Sequence, residues 1–288
     1  MRGDHVARVA GGGPVVLSQP FMQHAFLAGT LIAAACGAVG YFVVLRGQVF
    51  GGDALSHVAF TGALAALAFG VDARIGLFVA TIGLGAALGM LGPRGRPDDV
   101  VIGNVFTWIL GLGVLFMTLY AESAHSGAGT TSVTVLFGSI FGLSAGEAVV
   151  AAIVGFGACV AVVVLARPLL FASADAAVAQ ARGVPVRALG VAFLALVGVC
   201  AAEATQAVGA LLLVGLLAAP AGAARHLTSN PWRGMALSGA LAVLVTWAGL
   251  VASYLDGDLP PSFSIMAAAA ACFLVAVGVD LVSSRSSS

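Results

Sequence analysis

Asp53 and His57 stand four residues apart in the stretch "GGDALSHVAF" (Gly51–Phe60), at the start of an apolar segment. On a helix, residues at this spacing lie one turn apart on a single face, with Cβ atoms about 5–6 Å from each other. A carboxylate oxygen and an imidazole nitrogen so placed suit borderline divalent cations such as zinc, manganese or iron. Two ligands do not fill a shell, and the rest must come from elsewhere or from water. A permeation site must also release its ion, so incomplete coordination fits transport. Spacing alone leaves a second reading open. Asp53 follows two glycines and precedes an apolar run, which is a good N-cap position, and His57 can be a hydrogen-bonded packing residue.

Other charged groups in apolar surroundings are few. Glu203, in "CAAEATQAVG" near Gln206, reads as an interfacial carboxylate at a helix end reaching headgroups or water. The alternative is an additional cation-attracting group near the outer mouth, which keeps Glu203 in the metal-binding set. His24 and His125 sit at segment edges and read as solvated interface residues; Glu122 with His125 is a loop pair able to gather cations. A membrane-embedded metalloenzyme needs denser ligands, such as H-E-x-x-H. That motif does not occur, so the chain is not expected to be an enzyme.

The elements that must hold these residues follow from composition. Of 288 residues, 60% are hydrophobic and 8% charged, against roughly a quarter charged in a soluble domain. Apolar stretches lie at about 24–45, 53–70, 75–92, 101–120, 146–165, 186–203, 205–224, 234–254 and 262–282. These lengths predict an all-α polytopic membrane protein of about 8–10 transmembrane segments. A further run, 132–143, is too short to span and fits a half-helix or re-entrant piece. Residues 1–19 read as a flexible tail, 20–283 as one transmembrane domain and 284–288 as a short C-terminal tail. Gly85 and Gly89 form a small-xxx-small pair that allows close helix approach. Cys36, Cys159, Cys200 and Cys272 lie in apolar segments without a C-x-x-C pair and read as packing residues.

All 12 basic residues are arginine. A phosphate-binding P-loop requires lysine, so the chain carries no such engine, and uphill transport must draw on a partner or an ion gradient. The net charge is zero, which leaves no electrostatic footprint for nucleic acid. Arginines at 94, 96, 167, 182, 187, 225 and 233 predict cytoplasmic connections, while 121–147 and the stretch near Asp256 lack arginine and should face outside. Nine crossings with the N-terminus outside fit best.

The run 21–62, ending in "GYFVVLRGQVFGGDALSHVAFTG", resembles the opening of the permease subunits of ABC importers for zinc, manganese and iron. The likeness continues in "DDVVIGNVF" (98–106), "LFGSIFGLS" (136–144), "QAVGALLLVGLLAAPAGAARHLT" (206–228) and "SYLDGDLPPSFSI" (253–265). It implies a type II importer-like permease in a bacterial inner membrane, with Asp53 and His57 lining the translocation path and holding the metal transiently. It also implies a short cytoplasmic coupling helix within Ala172–Gly183, where Asp175, Ala179 and Gly183 match the family's spacing. The implied partners are a second copy of the chain, a cytoplasmic subunit that alone binds ATP, and an extracytoplasmic metal-binding protein. No tightly bound cofactor is expected, the divalent metal being cargo. Three positions depart from the pattern: Thr61 where proline is common, "PAGAAR" where the family has "PAATAR", and the region around Phe263, where a glycine is usual. The alternative function is a stand-alone, gradient-driven metal carrier, which has no need of an ATPase dock at 166–187.

Overall fold

A chain with so little polar surface must satisfy its backbone within each segment once in lipid, and helices do so. The computed structural model describes residues 19–92, 95–123, 138, 140–207, 209–210 and 213–286, with side chains as far as residue 282. Its helices are α1 (Pro20–Leu45), α2 (Val49–Ala68), α3 (Ala73–Leu91), α4 (Asp99–Ser123), α5 (Ala145–Ala174), α6 (Ala176–Ala181), α7 (Val186–Ala207), α8 (Leu213–Leu227), α9 (Pro231–Leu255) and α10 (Pro261–Ser286), with a 3₁₀ turn at Ile140–Gly142. No strand occurs among the described residues. Seven helices (α1, α3, α4, α5, α7, α9 and α10) are long and apolar enough to cross a membrane. α2 has 20 residues, but Asp53, His57 and its glycines dilute its apolar character.

Local chemistry sets the helix ends. Pro20 and Pro231 open α1 and α9, where a missing N–H costs nothing. Asp72 and Asn230 accept from backbone N–H groups at the starts of α3 and α9. Ser144 and Glu147 cap each other's backbone at the start of α5. α1 and α7 are the most buried spans and form the centre; α4 and α10 are the least buried. The predicted glycine pair works as expected. A Cβ on Gly85 would overlap the Leu194 carbonyl of α7, and one on Gly89 would fall 2.6 Å from the Val191 Cα.

The two ends of the bundle differ in charge. At one end Arg96 Nη2 donates to the Arg46 carbonyl, Arg187 Nη2 to Met90 O at 3.0 Å and Arg225 Nη1 to Val44 O at 3.4 Å. Arg182 and Arg233 lie at the same end. At the other end Arg74 is the one arginine among the described residues, accompanied by Asp72, Glu122, Glu147, Asp256 and Asp258. The arginine excess assigns the first end to the cytoplasm.

The structure revises three boundaries. α5 runs on through Pro168 to Ala174, so the cytoplasmic connection begins at Asp175 rather than near 166, and Ala172 belongs to α5. α7 continues through Glu203 to Ala207, and the break before α8 follows it instead of falling at 204. α8 is 15 residues, ~22 Å, and starts part-way into the bundle; the Leu217 backbone meets Gly40, five residues from the cytoplasmic end of α1. Of the short run expected at 132–143, residues 132–137 and 139 lie outside the described residues. The remainder forms the 3₁₀ turn, whose Ile140 is buried against Gly29 of α1.

Candidate metal path and coupling surface

α2 begins at Val49, so Asp53 lies inside the helix and the N-cap position belongs to Gln48. The capping reading of Asp53 is therefore overturned. Gly51, Gly52, Ala54, Leu55, Ser56, Val58 and Ala59 are all buried, whereas Phe50, Asp53, His57 and Phe60 form one half-exposed stripe. The periodicity explains it: these positions recur at three and four residues and share a face. Ser56 Oγ donates to the Asp53 backbone carbonyl at 2.7 Å. Phe106 of α4 packs edge-on against the His57 ring at 5.0 Å and against Phe50 at 6.0 Å.

The pair thus opens on the side of the bundle between α2 and α4. No third His, Cys, Asp or Glu joins it among the described residues. α2 shows no break at Thr61 despite the missing proline, and Thr61 Oγ1 donates to Ile109 O of α4 at 3.1 Å.

Glu203 is only 4% exposed, which overturns the reading of a carboxylate reaching headgroups or water. It lies one turn inside the outer end of α7, within the field of Arg74. Arg74 holds three helices together: its Nη2 meets Glu147 Oε1 of α5 at 3.2 Å and its Nε donates to Gln206 Oε1 of α7 at 2.9 Å. Around them is a cavity of about 580 Å³, also lined by Asp72, Leu67 and Thr205. Sequence reasoning missed this group; the signal was an arginine standing alone among the acidic connections. Glu122 is exposed at the end of α4, and His125 lies outside the described residues. His24 is half-buried in the first turns of α1.

At the cytoplasmic end α6 forms within the expected coupling segment. Asp175 accepts from Ala177 N at 2.8 Å and Val178 N at 3.0 Å, starting the helix, and Gly183 with φ +83° stops it. Ala179 is fully buried and anchors α6 to the core, so it is not on a surface open to another chain. The exposed side carries Ala177, Val178 and Gln180, with Val178 45% exposed. A groove of about 800 Å³ runs beside it, between Gln180, Val184, Arg187 and Met90.

Arg46, between α1 and α2, is buried over the Phe193 ring at 5.3 Å. Its Nε donates to Gln48 Oε1 at 3.0 Å, while Nη1, Nη2 and Gln48 Nε2 have no partner. Burial, and secondly the neighbouring Arg96 charge, push its pKa down to about 10, so it stays charged at neutral pH.

Comparison with known proteins agrees with this architecture. The chain is 29% identical over 262 residues to the manganese transport system membrane protein MntC of Halalkalibacterium halodurans, covering 91% of this chain and 88% of that one. It is 31% identical over 237 residues to the manganese import system permease protein ScaB of Streptococcus parasanguinis, covering 81% and 82%. Among solved structures it resembles PsaBC from Streptococcus pneumoniae in complex with Fab, with a TM-score of 0.77 and 26% identity over 96% of this chain and 95% of that one. The family model of the ABC 3 transport family matches residues 18–280. With that match and a relative above 30% identity, this multi-pass membrane protein belongs to the ABC 3 transport family.

Proposed function

We propose that this chain is the permease subunit of an ATP-driven importer of divalent transition-metal ions in the bacterial cell membrane, with Asp53 and His57 as its transient metal ligands. One observation carries the reading: a carboxylate and an imidazole, one turn apart, lie half-exposed on one face of a helix inside an otherwise apolar bundle. A charged aspartate facing lipid at the middle of a membrane helix costs about 2.5–3.5 kcal/mol on insertion scales. A second copy of the chain would cover the pair and bring its own Asp53 and His57, making four protein ligands, a full tetrahedral set for zinc and a partial shell, completed by water, for manganese or iron. Zinc, manganese and iron all remain in the class; the names of the relatives make manganese the first ion to test.

ATP binding belongs to a cytoplasmic partner, since the chain has no lysine for a P-loop. Asp175, Ala179 and Gly183 shape and anchor α6, and the Val178 face with the adjoining groove receives that partner. The acidic outer end receives an external metal-binding protein. Access alternates between the two sides as the partner's ATP cycle shifts the balance of two states.

Asp53→Ala and His57→Ala test the site. Each is expected to abolish manganese accumulation while the protein reaches the membrane at near wild-type levels. Transport at the wild-type rate by both variants sinks the assignment.

A further inference from the structure

We infer that the outer cavity is a receiving site for a divalent cation, in which the Arg74 guanidinium is a resident counter-ion that the incoming ion displaces. The inference rests on the transport reading for the direction of travel, and on the cavity's own chemistry for binding.

Four oxygen-bearing side chains line the cavity: Asp72, Glu147, Thr205 and Gln206. Thr205 is fully buried, yet its Oγ1 has no hydrogen-bond partner. A buried hydroxyl without a partner is costly, and one lining a cavity of this size is satisfied by what enters the cavity. The second orphan is Gln206 Nε2, whose amide is held with Oε1 on Arg74. Once Arg74 leaves, the amide is free to turn its oxygen toward the cavity.

Charge points the same way. Asp72 and Glu147 line the cavity, and once Arg74 is displaced their two carboxylates, when ionised, match the charge of one divalent ion. Asp72 also caps α3 through the Arg74 N–H, and Glu203 acts from one turn deeper. The Arg74–Glu147 pair is 3.2 Å long with side chains 30% and 44% exposed. Pairs this open are weak and exchange readily. The donor set is oxygen throughout, without sulfur or imidazole, which suits manganese or magnesium in octahedral coordination over softer ions.

Position gives the cavity a use. Leu67, in its lining, lies further along α2 than His57 and Asp53. Ten residues of helix separate it from His57, ~15 Å. An ion held at the outer cavity therefore sits further out along the same helix than the Asp53–His57 pair.

The test is Mn²⁺ binding to the intact permease–ATPase complex in nanodiscs, read by electron paramagnetic resonance in an Asp53→Ala/His57→Ala background. One bound Mn²⁺ per permease chain is expected to remain. Adding Glu147→Gln and Thr205→Val should weaken it at least about tenfold, and Arg74→Gln should tighten it about tenfold by removing a nearby positive charge. A merely structural Arg74 predicts no gain in affinity. Absence of bound Mn²⁺ in that background overturns the inference. So does Mn²⁺ binding indifferent to Glu147→Gln/Thr205→Val, or weakened by Arg74→Gln. If Arg74→Gln does not fold, the Glu147/Thr205 variant, checked by its melting temperature, decides alone. Failure of the transport reading registers separately, as wild-type uptake by the Asp53→Ala/His57→Ala protein.

Discussion

Thr61 of α2 is tied to Ile109 of α4 by a hydrogen bond of 3.1 Å from its hydroxyl to the backbone carbonyl. The bond fixes the register of the two helices. One turn below Thr61 is His57, and three residues before Ile109 is Phe106, whose ring packs on the imidazole. A proline at 61 has no hydroxyl to make this contact.

Thr61→Val is expected to loosen the pairing while keeping the shape of the side chain. Helix–helix hydrogen bonds in membranes average about 0.6 kcal/mol, so thermal stability should fall slightly and Thr61→Ser should retain it. Metal uptake should fall more than stability, because the imidazole loses its fixed neighbour. Equal uptake by the Val and Ser variants argues that the register has no bearing on the site.

The proposed second copy, if it covers the α2 stripe, places identical residues near a two-fold axis. Phe60→Cys, in a background without the four native cysteines, should form a disulfide-linked dimer under mild oxidation. Leu274→Cys on α10, 67% exposed and away from the stripe, should not. Crosslinking at Leu274 with none at Phe60 moves the dimer face to the other side of the molecule.

Arginine asymmetry sets the orientation. Ala177→Cys in α6 and Gly257→Cys in the α9–α10 connection are both exposed and should label oppositely with an impermeant thiol reagent. Labelling of Ala177→Cys from outside intact cells inverts the topology.

α6 offers a clean separation of docking from folding. Val178→Asp changes an exposed side chain and should prevent co-purification of the ATP-binding subunit with the melting temperature unchanged. Ala179→Asp puts a charge into the core and should destabilise the whole domain. Asp175→Ala removes a helix cap worth about 1 kcal/mol and should weaken coupling by fraying α6. Normal co-purification with Val178→Asp leaves the dock elsewhere.

The unpartnered donors of Arg46 predict a stabilising change. Gln48→Glu supplies a carboxylate to the buried guanidinium, and charge-assisted hydrogen bonds contribute about 1.5–3 kcal/mol. A rise in melting temperature is expected; a fall shows that the added desolvation outweighs the pairing.

The sequence by itself determined the class of the fold and the pairing of Asp53 with His57 on one helix face. Apolar runs of spanning length, with hydrogen bonds that must close within each segment, leave helices as the only outcome. The four-residue spacing of Asp53 and His57 already implied one face, and the spacing from Asp175 to Gly183 already marked a short helix with a start and a stop. Those are local properties, read along one chain. Tertiary packing decided the rest, because burial depends on neighbours far away in sequence. Ala179 matched the expected coupling segment, yet it packs inward, and Val178 beside it is what the surface presents. Glu203 reads as an interfacial carboxylate until α7 is carried on to Ala207 and packed against its neighbours. Arg74, Glu147 and Gln206 come from three helices, 73 and 132 residues distant along the chain from the arginine, and nothing in their spacing announces that they meet. The glycine-lined contact of α3 with α7 brings Arg74 into hydrogen-bonding reach of Gln206, and the packing of α5 on α1 through Gly155 adds Glu147 from a third helix.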